Sequence, residues 1–269
     1  MFSTKSIVSI LAISVALVIG LGLTGSGMAL AQCDNDNEFT RDFRLQDCKC
    51  FKPFGVNPYF LLIPGYQMIL EGETEDDGEI IEVKAVISVL REIKKIYIPG
   101  FGNVITRVVE EREWEDGKLI EVSRNFFAIC PKTNSVFYFG EKVDDYEDGE
   151  IVGHGGSWEA GVDGAMPGIM MPGTFLLGSK YFQEYAPGVA VDRGENVGMG
   201  LEVETPAGTF TDCVKVIDTN PLDGVCEAED GDEKIYSPRV GLVKDEELEL
   251  VNYGFNIYDR NGEEADEEE

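Results

Sequence analysis

Ile81-Glu82-Val83-Lys84-Ala85-Val86-Ile87-Ser88-Val89 alternates with a period of two, which puts Ile81, Val83, Ala85, Ile87 and Val89 on one face of an extended strand. Downstream, Trp114-Glu115-Asp116-Gly117-Lys118-Leu119 sets an Asp-Gly dipeptide between the strand-like runs Val104 to Glu113 and Lys118 to Ile129. Asp-Gly adopts the positive φ values of a two-residue hairpin turn, so these runs are expected to pair antiparallel. Asp77-Gly78, Asp148-Gly149, Asp230-Gly231 and Asn261-Gly262 repeat the signal. Further strands are expected at Tyr66 to Glu71, Ser135 to Gly140, Lys180 to Tyr185, Leu201 to Glu204, Thr209 to Ile217, Lys234 to Tyr236 and Glu247 to Tyr258. In the last of these the apolar parity slips between Leu250 and Val251, which predicts a bulge near Leu250. Ile87 to Lys95 suits a short helical turn as well as a continued strand. Elsewhere 31 glycines and 11 prolines interrupt any helical spacing.

The expected fold is mainly β: a strongly curved antiparallel sheet or partly open β-barrel of about ten strands with few short helices. Residues 57–258 form a single β domain, preceded by a cysteine-bearing lead segment (32–56) and followed by an acidic disordered tail (259–269). Residues 1–31 read as a signal peptide: Lys5, an apolar run from Ser6 to Leu23, then Ala29-Leu30-Ala31. The mature chain is therefore expected to be secreted, periplasmic or on the cell surface. Leu30-Ala31-Gln32-Cys33 resembles a lipobox with Gln32 in place of a small residue; the membrane becomes a partner only if Cys33 is lipidated.

With 51 acidic and 22 basic residues, the chain carries a formal charge of −29, which repels phosphate backbones and argues against nucleic acid. No motif calls for a cofactor. All six cysteines follow residue 31, and an even count in an oxidising compartment reads as disulfides. Cys213 and Cys226, flanking the turn-rich Asn220-Pro221-Leu222-Asp223-Gly224, are the favoured pair. Cys48-Lys49-Cys50 has the wrong spacing for zinc.

The densest unusual segment is Gly153 to Gly173, which holds His154, Ser157, Trp158, Glu159 and Asp163. Glu159 and Asp163 have the residue types of a glycosidase acid pair. His154 has no imidazole partner, and Ser157 lacks the Gly-x-Ser-x-Gly elbow, so a structural histidine is expected. Asp144, Asp145 and Asp148 lie in a partial calcium-loop pattern that Tyr146 and Gly155 break, which leaves a charged hairpin tip as the simpler reading. Phe126-Phe127 and Phe137-Tyr138-Phe139 point to both faces of their strands, so those faces must be covered by a second layer or curve around a ligand. Tyr66, Phe126, Phe137, Phe139 and Trp158 are the candidate ligand-binding residues.

Thr106-Arg107-Val108-Val109-Glu110 with Trp114-x-Asp116-Gly117, Tyr138-Phe139-Gly140-Glu141, Gly156-Ser157-Trp158-Glu159-Ala160-Gly161, Ala165-Met166-Pro167-Gly168, Tyr185-Ala186-Pro187-Gly188-Val189-Ala190, Thr205-Pro206-Ala207-Gly208-Thr209-Phe210 and Gly241-Leu242-Val243 resemble a family of exported prokaryotic proteins of unknown function. Ala207 to Val243 is more loosely similar to the closing strands of periplasmic half-barrel or lipocalin-like proteins. The resemblance carries no catalytic residue. The expectation is a non-enzymatic extracytoplasmic binding protein for an apolar or amphiphilic small molecule. The alternatives are a secreted hydrolase using Glu159 and Asp163, and a calcium-responsive structural surface protein.

Overall fold

The computed structural model describes residue 33, residues 35–76 and residues 78–257. The expected signal peptide, the acidic tail and the Asn261-Gly262 turn lie outside these residues. Among them are seventeen strands, more than the ten or so expected, and only 3₁₀ turns as helix. The extra strands are mostly short, irregular segments whose composition carries no alternation.

A small hairpin pairs β1 (Gly55–Asn57) with β2 (Phe60–Leu62). The remaining fifteen strands form one antiparallel sheet. They are β3 (Tyr66–Asp76), β4 (Glu79–Ile98), β5 (Gly102–Glu115), β6 (Lys118–Ile129), β7 (Val136–Glu147), β8 (Glu150–Gly153), β9 (Trp158–Glu159), β10 (Met166–Met171), β11 (Lys180–Phe182), β12 (Glu184–Tyr185), β13 (Arg193–Thr205), β14 (Gly208–Thr219), β15 (Asp232–Ser237), β16 (Gly241–Asp245) and β17 (Leu248–Phe255). Their order is β11-β13-β14-β15-β16-β17-β3-β4-β5-β6-β7-β10-β12, with β8 and β9 also pairing with β7.

β11 and β12 lie at opposite ends of this path, yet only Gln183 separates them along the chain. The sheet must therefore curl until its two ends meet at a seam. No continuous ladder crosses the seam, so the sheet is strongly curved without closing into a barrel. Gly168 permits the approach, since a Cβ there would sit 2.2 Å from the Gln183 carbonyl oxygen.

The Asp116-Gly117 hairpin forms as the sequence predicts, with φ of 45° and 73° at its two corners. Asp148-Gly149 likewise turns β7 into β8. Asp230-Gly231 does not make a tight turn: a 3₁₀ turn over Ala228–Asp230 runs into β15, and Gly231 keeps a negative φ. The bulge near Leu250 is present as a register shift between Leu250 and Asn252. The segment from Ile87 to Lys95 stays in β4, but its register against β5 breaks between Val89 and Ile93. There the Arg107 guanidinium donates to the carbonyls of Leu90, Arg91 and Glu92 at 3.3, 2.9 and 3.2 Å, and its Nε donates to Pro53 at 2.8 Å. One buried cation thus satisfies the carbonyls that the broken ladder releases.

The lead segment packs on the outside of the curl. Phe51 sits edge-on to Phe101, Phe137 and Phe139 at 5.7, 5.1 and 5.1 Å, while Phe43 meets Phe137 at 5.9 Å. Tyr138, between those phenylalanines in sequence, faces the other way and stacks on Phe127 at 4.6 Å. The two-faced aromatic pattern is thus explained by a second layer outside and side chains packed within. Two disulfides fix the layer, Cys33–Cys226 and Cys48–Cys130; Cys50 and Cys213 are free. This corrects the expected Cys213–Cys226 bridge. Asn220 already closes that turn, accepting from the Leu222 and Val225 backbone N–H groups, while Cys213 is buried within β14. Arg193, fully buried, reinforces the anchor: it donates to Asn35, to Asp36 and to the Cys226 carbonyl, with its guanidinium carbon 4.2 Å from the Phe39 ring centroid.

Candidate functional site

The expected site residues divide between the two faces of the sheet. Phe137 and Phe139 lie beneath the lead segment, and Tyr66 is buried with its hydroxyl donating to the Val240 carbonyl at 2.7 Å. These three are core. Phe126 and Trp158 border an open groove of about 430 Å³ on the outer face. Its floor is Val108 of β5 and Phe126 of β6; one wall is Glu92, Ile93 and Lys94, and the other is Ser157, Trp158 and Glu159. The register break in β4, filled by Arg107, places the first wall. The second depends on Gly140, which at φ 124° bulges β7 and lets β9 pair alongside; a Cβ there would meet the Trp158 carbonyl oxygen at 2.3 Å.

An ion pair joins the two walls. Lys94 Nζ lies 2.9 Å from Glu159 Oε2 and 4.9 Å from the Phe126 ring centroid, so a cation bridges the groove above an aromatic floor. Arg124 and Lys142 complete the rim, each with its own carboxylate partner, Glu110 at 3.0 Å and Asp144 at 2.9 Å. In a chain of charge −29, this groove carries three bases (Lys94, Arg124, Lys142) beside two acids (Glu92, Glu159), the carboxyl of Glu141 being buried on the inner face.

The alternative chemistries are not assembled. Asp163 occupies the left-handed corner of an exposed turn, φ 46°, and does not line the groove with Glu159. Ser157 Oγ accepts the Val143 N–H at 2.9 Å, and His154 Nδ1 lies 2.9 Å from both the Val143 carbonyl and Asp144. Both side chains thus hold β7 and form no nucleophile–base pair. Asp144 is taken by Lys142 and His154, Asp145 accepts the Gly155 N–H at 2.9 Å, and Asp148 makes the hairpin corner. Among the described residues no three His, Cys, Asp or Glu side chains converge on a metal position.

The inside of the curl holds what the sequence reading missed. The register aligns Glu111 with Ser123, Glu113 with Glu121, and Asn125 with Glu141, so one end of the inner face is polar. Glu184 of β12, Asp192, Asp218 of β14, Asp245 of β16 and a single lysine, Lys234 of β15, join them. Both carboxylate oxygens of Glu111, Glu141 and Glu184 are buried without a hydrogen-bond partner. Tyr138 donates to Asn125, while its hydroxyl and the Trp158 indole N–H face Glu141 and Glu184 without completing a bond of good geometry.

Burial, then Glu113 for Glu111, Glu184 for Glu141 and Asp192 for Glu184, pushes these three carboxyls well above the usual range. Asp192 and Asp245 are pushed up to about 7, chiefly by burial. Lys234 lies 3.3 Å from Asp218 and 3.5 Å from Asp245. Burial works against its charge, but these two acids raise its pKa well above the ordinary value. The available signal was parity: Glu111 and Glu113 share the face of Val109, and Glu121, Ser123 and Asn125 that of Phe127. No family model, curated protein or solved structure matches this chain.

Proposed function

We propose that the protein is a non-enzymatic extracytoplasmic binding protein that holds an amphiphilic small molecule in the outer groove. The two disulfides suit an oxidising compartment. The observation that carries the reading is the Lys94–Glu159 bridge above Phe126. An apolar body lies against Val108, Phe126 and Ile93, and a polar head exchanges with the ion pairs at the rim. The volume falls within the range of small-molecule sites, and an apolar floor with a few placed polar groups is their usual lining.

A dansyl-labelled long-chain carboxylate is the probe, with an uncharged alcohol of the same chain as control. Saturable binding of the carboxylate is expected, weakened about tenfold by Lys94→Glu, which corresponds to about 1.4 kcal/mol. Equal binding to Phe126→Ala and the parent chain, or no saturable binding of either probe, would overturn the reading.

A further inference from the structure

The interior carboxyls sit where the sheet is thinnest. Toward β13 the seam is held by three residue pairs, Lys180 with Glu195, Tyr181 with Gly194 and Phe182 with Arg193. Toward β10 it is held by two, Met166 with Tyr185 and Pro167 with Glu184, and a proline has no N–H to give. Between them the N–H groups of Gln183 and Glu184 both donate to the Asp192 carbonyl, at 2.8 and 3.2 Å, and Gln183 Nε2 donates to Asp218 at 2.9 Å. Glu184 and Asp192 thus carry both the seam and two of the inward carboxyls.

We infer that the inside of the curl is a proton-binding site and that emptying it parts the seam at Gln183. The geometry is a cluster with more acids than counter-charge. Facing Glu184 or Asp192 directly are Tyr138 and Glu141 from β7, the Trp158 indole from β9, Arg193 from β13, Asp218 from β14, Asp223 from the turn after it and Lys234 from β15; around these stand Glu111 and Glu113 from β5, Glu121 from β6, Asp232 and Tyr236 from β15, and Asp245 from β16. Of the two cations, Lys234 is already engaged by Asp218 and Asp245, and Arg193 gives its guanidinium to Asn35, Asp36 and the Cys226 carbonyl. An ionised carboxyl without a donor is costly to bury, so Glu111, Glu141 and Glu184 are held neutral while the curl is closed. Deprotonation places like charges against one another, and the element with the fewest ladder bonds yields first.

The sign follows from linkage. A carboxyl raised in the closed form stabilises closure fully below its free value near 4, and this contribution is lost as the pH rises through about 7 for Asp192. The test is amide hydrogen exchange between about pH 5 and about pH 8.5, corrected for intrinsic rates. Amides of Tyr181, Gln183 and Glu184 are expected to lose protection by about tenfold per pH unit for each proton released. Those of the β5–β6 hairpin are expected to hold. Glu184→Gln with Asp192→Asn should keep the seam protected at the alkaline end. Seam protection that is flat with pH in the parent chain overturns the inference whether or not the variant folds. So does loss spread evenly over the molecule, which marks global unfolding.

Discussion

Arg107 and Lys234 show how one side chain can decide a region. Arg107 is buried because β4 breaks register beside it, and its planar fork joins two segments, Nη1 reaching three consecutive β4 carbonyls while Nε holds that of Pro53. Arg107→Ala is expected to cost about 3 kcal/mol, the scale of charged hydrogen bonds left unmade, read as a shift in urea midpoint. Arg107→Lys should recover less than half of that loss, since one ammonium cannot serve the β4 carbonyls and that of Pro53 together. Lys234→Met leaves Asp218 and Asp245 without their counter-charge and is expected to destabilise by about 3–5 kcal/mol near neutral pH. That cost shrinks as the pH falls, because Asp245, without the lysine that lowers its pKa, takes up a proton more readily; urea melts at two pH values check it.

At the scale of elements, the hairpins were legible because their information is local. Asp116-Gly117 and the alternation around it specify β5 and β6 without reference to the rest of the chain, and the parity slip at Leu250 reports its own bulge. β9 and β10 were illegible for the opposite reason. Their pairing depends on Gly140 and on the Cys48–Cys130 layer outside, neither of which writes a period into Trp158-Glu159 or Met166–Met171. The inward acids were missed since charge outweighs parity in any composition-based view, and only the curl brings Glu111 opposite Lys234. Gly140→Ala is expected to push β9 off β7 and abolish probe binding in the groove. Exposure of Trp158 by a red-shifted emission, measured with Trp114→Phe as background, reports the displacement.

For the molecule as a whole, the buried acids set an unusual pH profile. Asp192 and Asp245, raised from 3.8 to about 7 in the folded state, bind protons that the unfolded chain releases between those values. Their contribution to stability is therefore complete below about pH 4 and disappears as the pH climbs through 7. Urea midpoints are expected to rise from about pH 8 to about pH 5, and a profile rising instead toward alkali would contradict the placement of these side chains.

The staple between Cys33 and Cys226 spans 193 residues, so the first cysteine of the fold waits for the last. As the polypeptide emerges, Cys33 meets Cys48, Cys50 and Cys130 long before its own mate, and an oxidant acting early would trap it with one of them. Correct maturation thus calls for delayed oxidation or a thiol shuffler. Refolding of the reduced chain should give a higher yield in a glutathione redox mixture than in air alone.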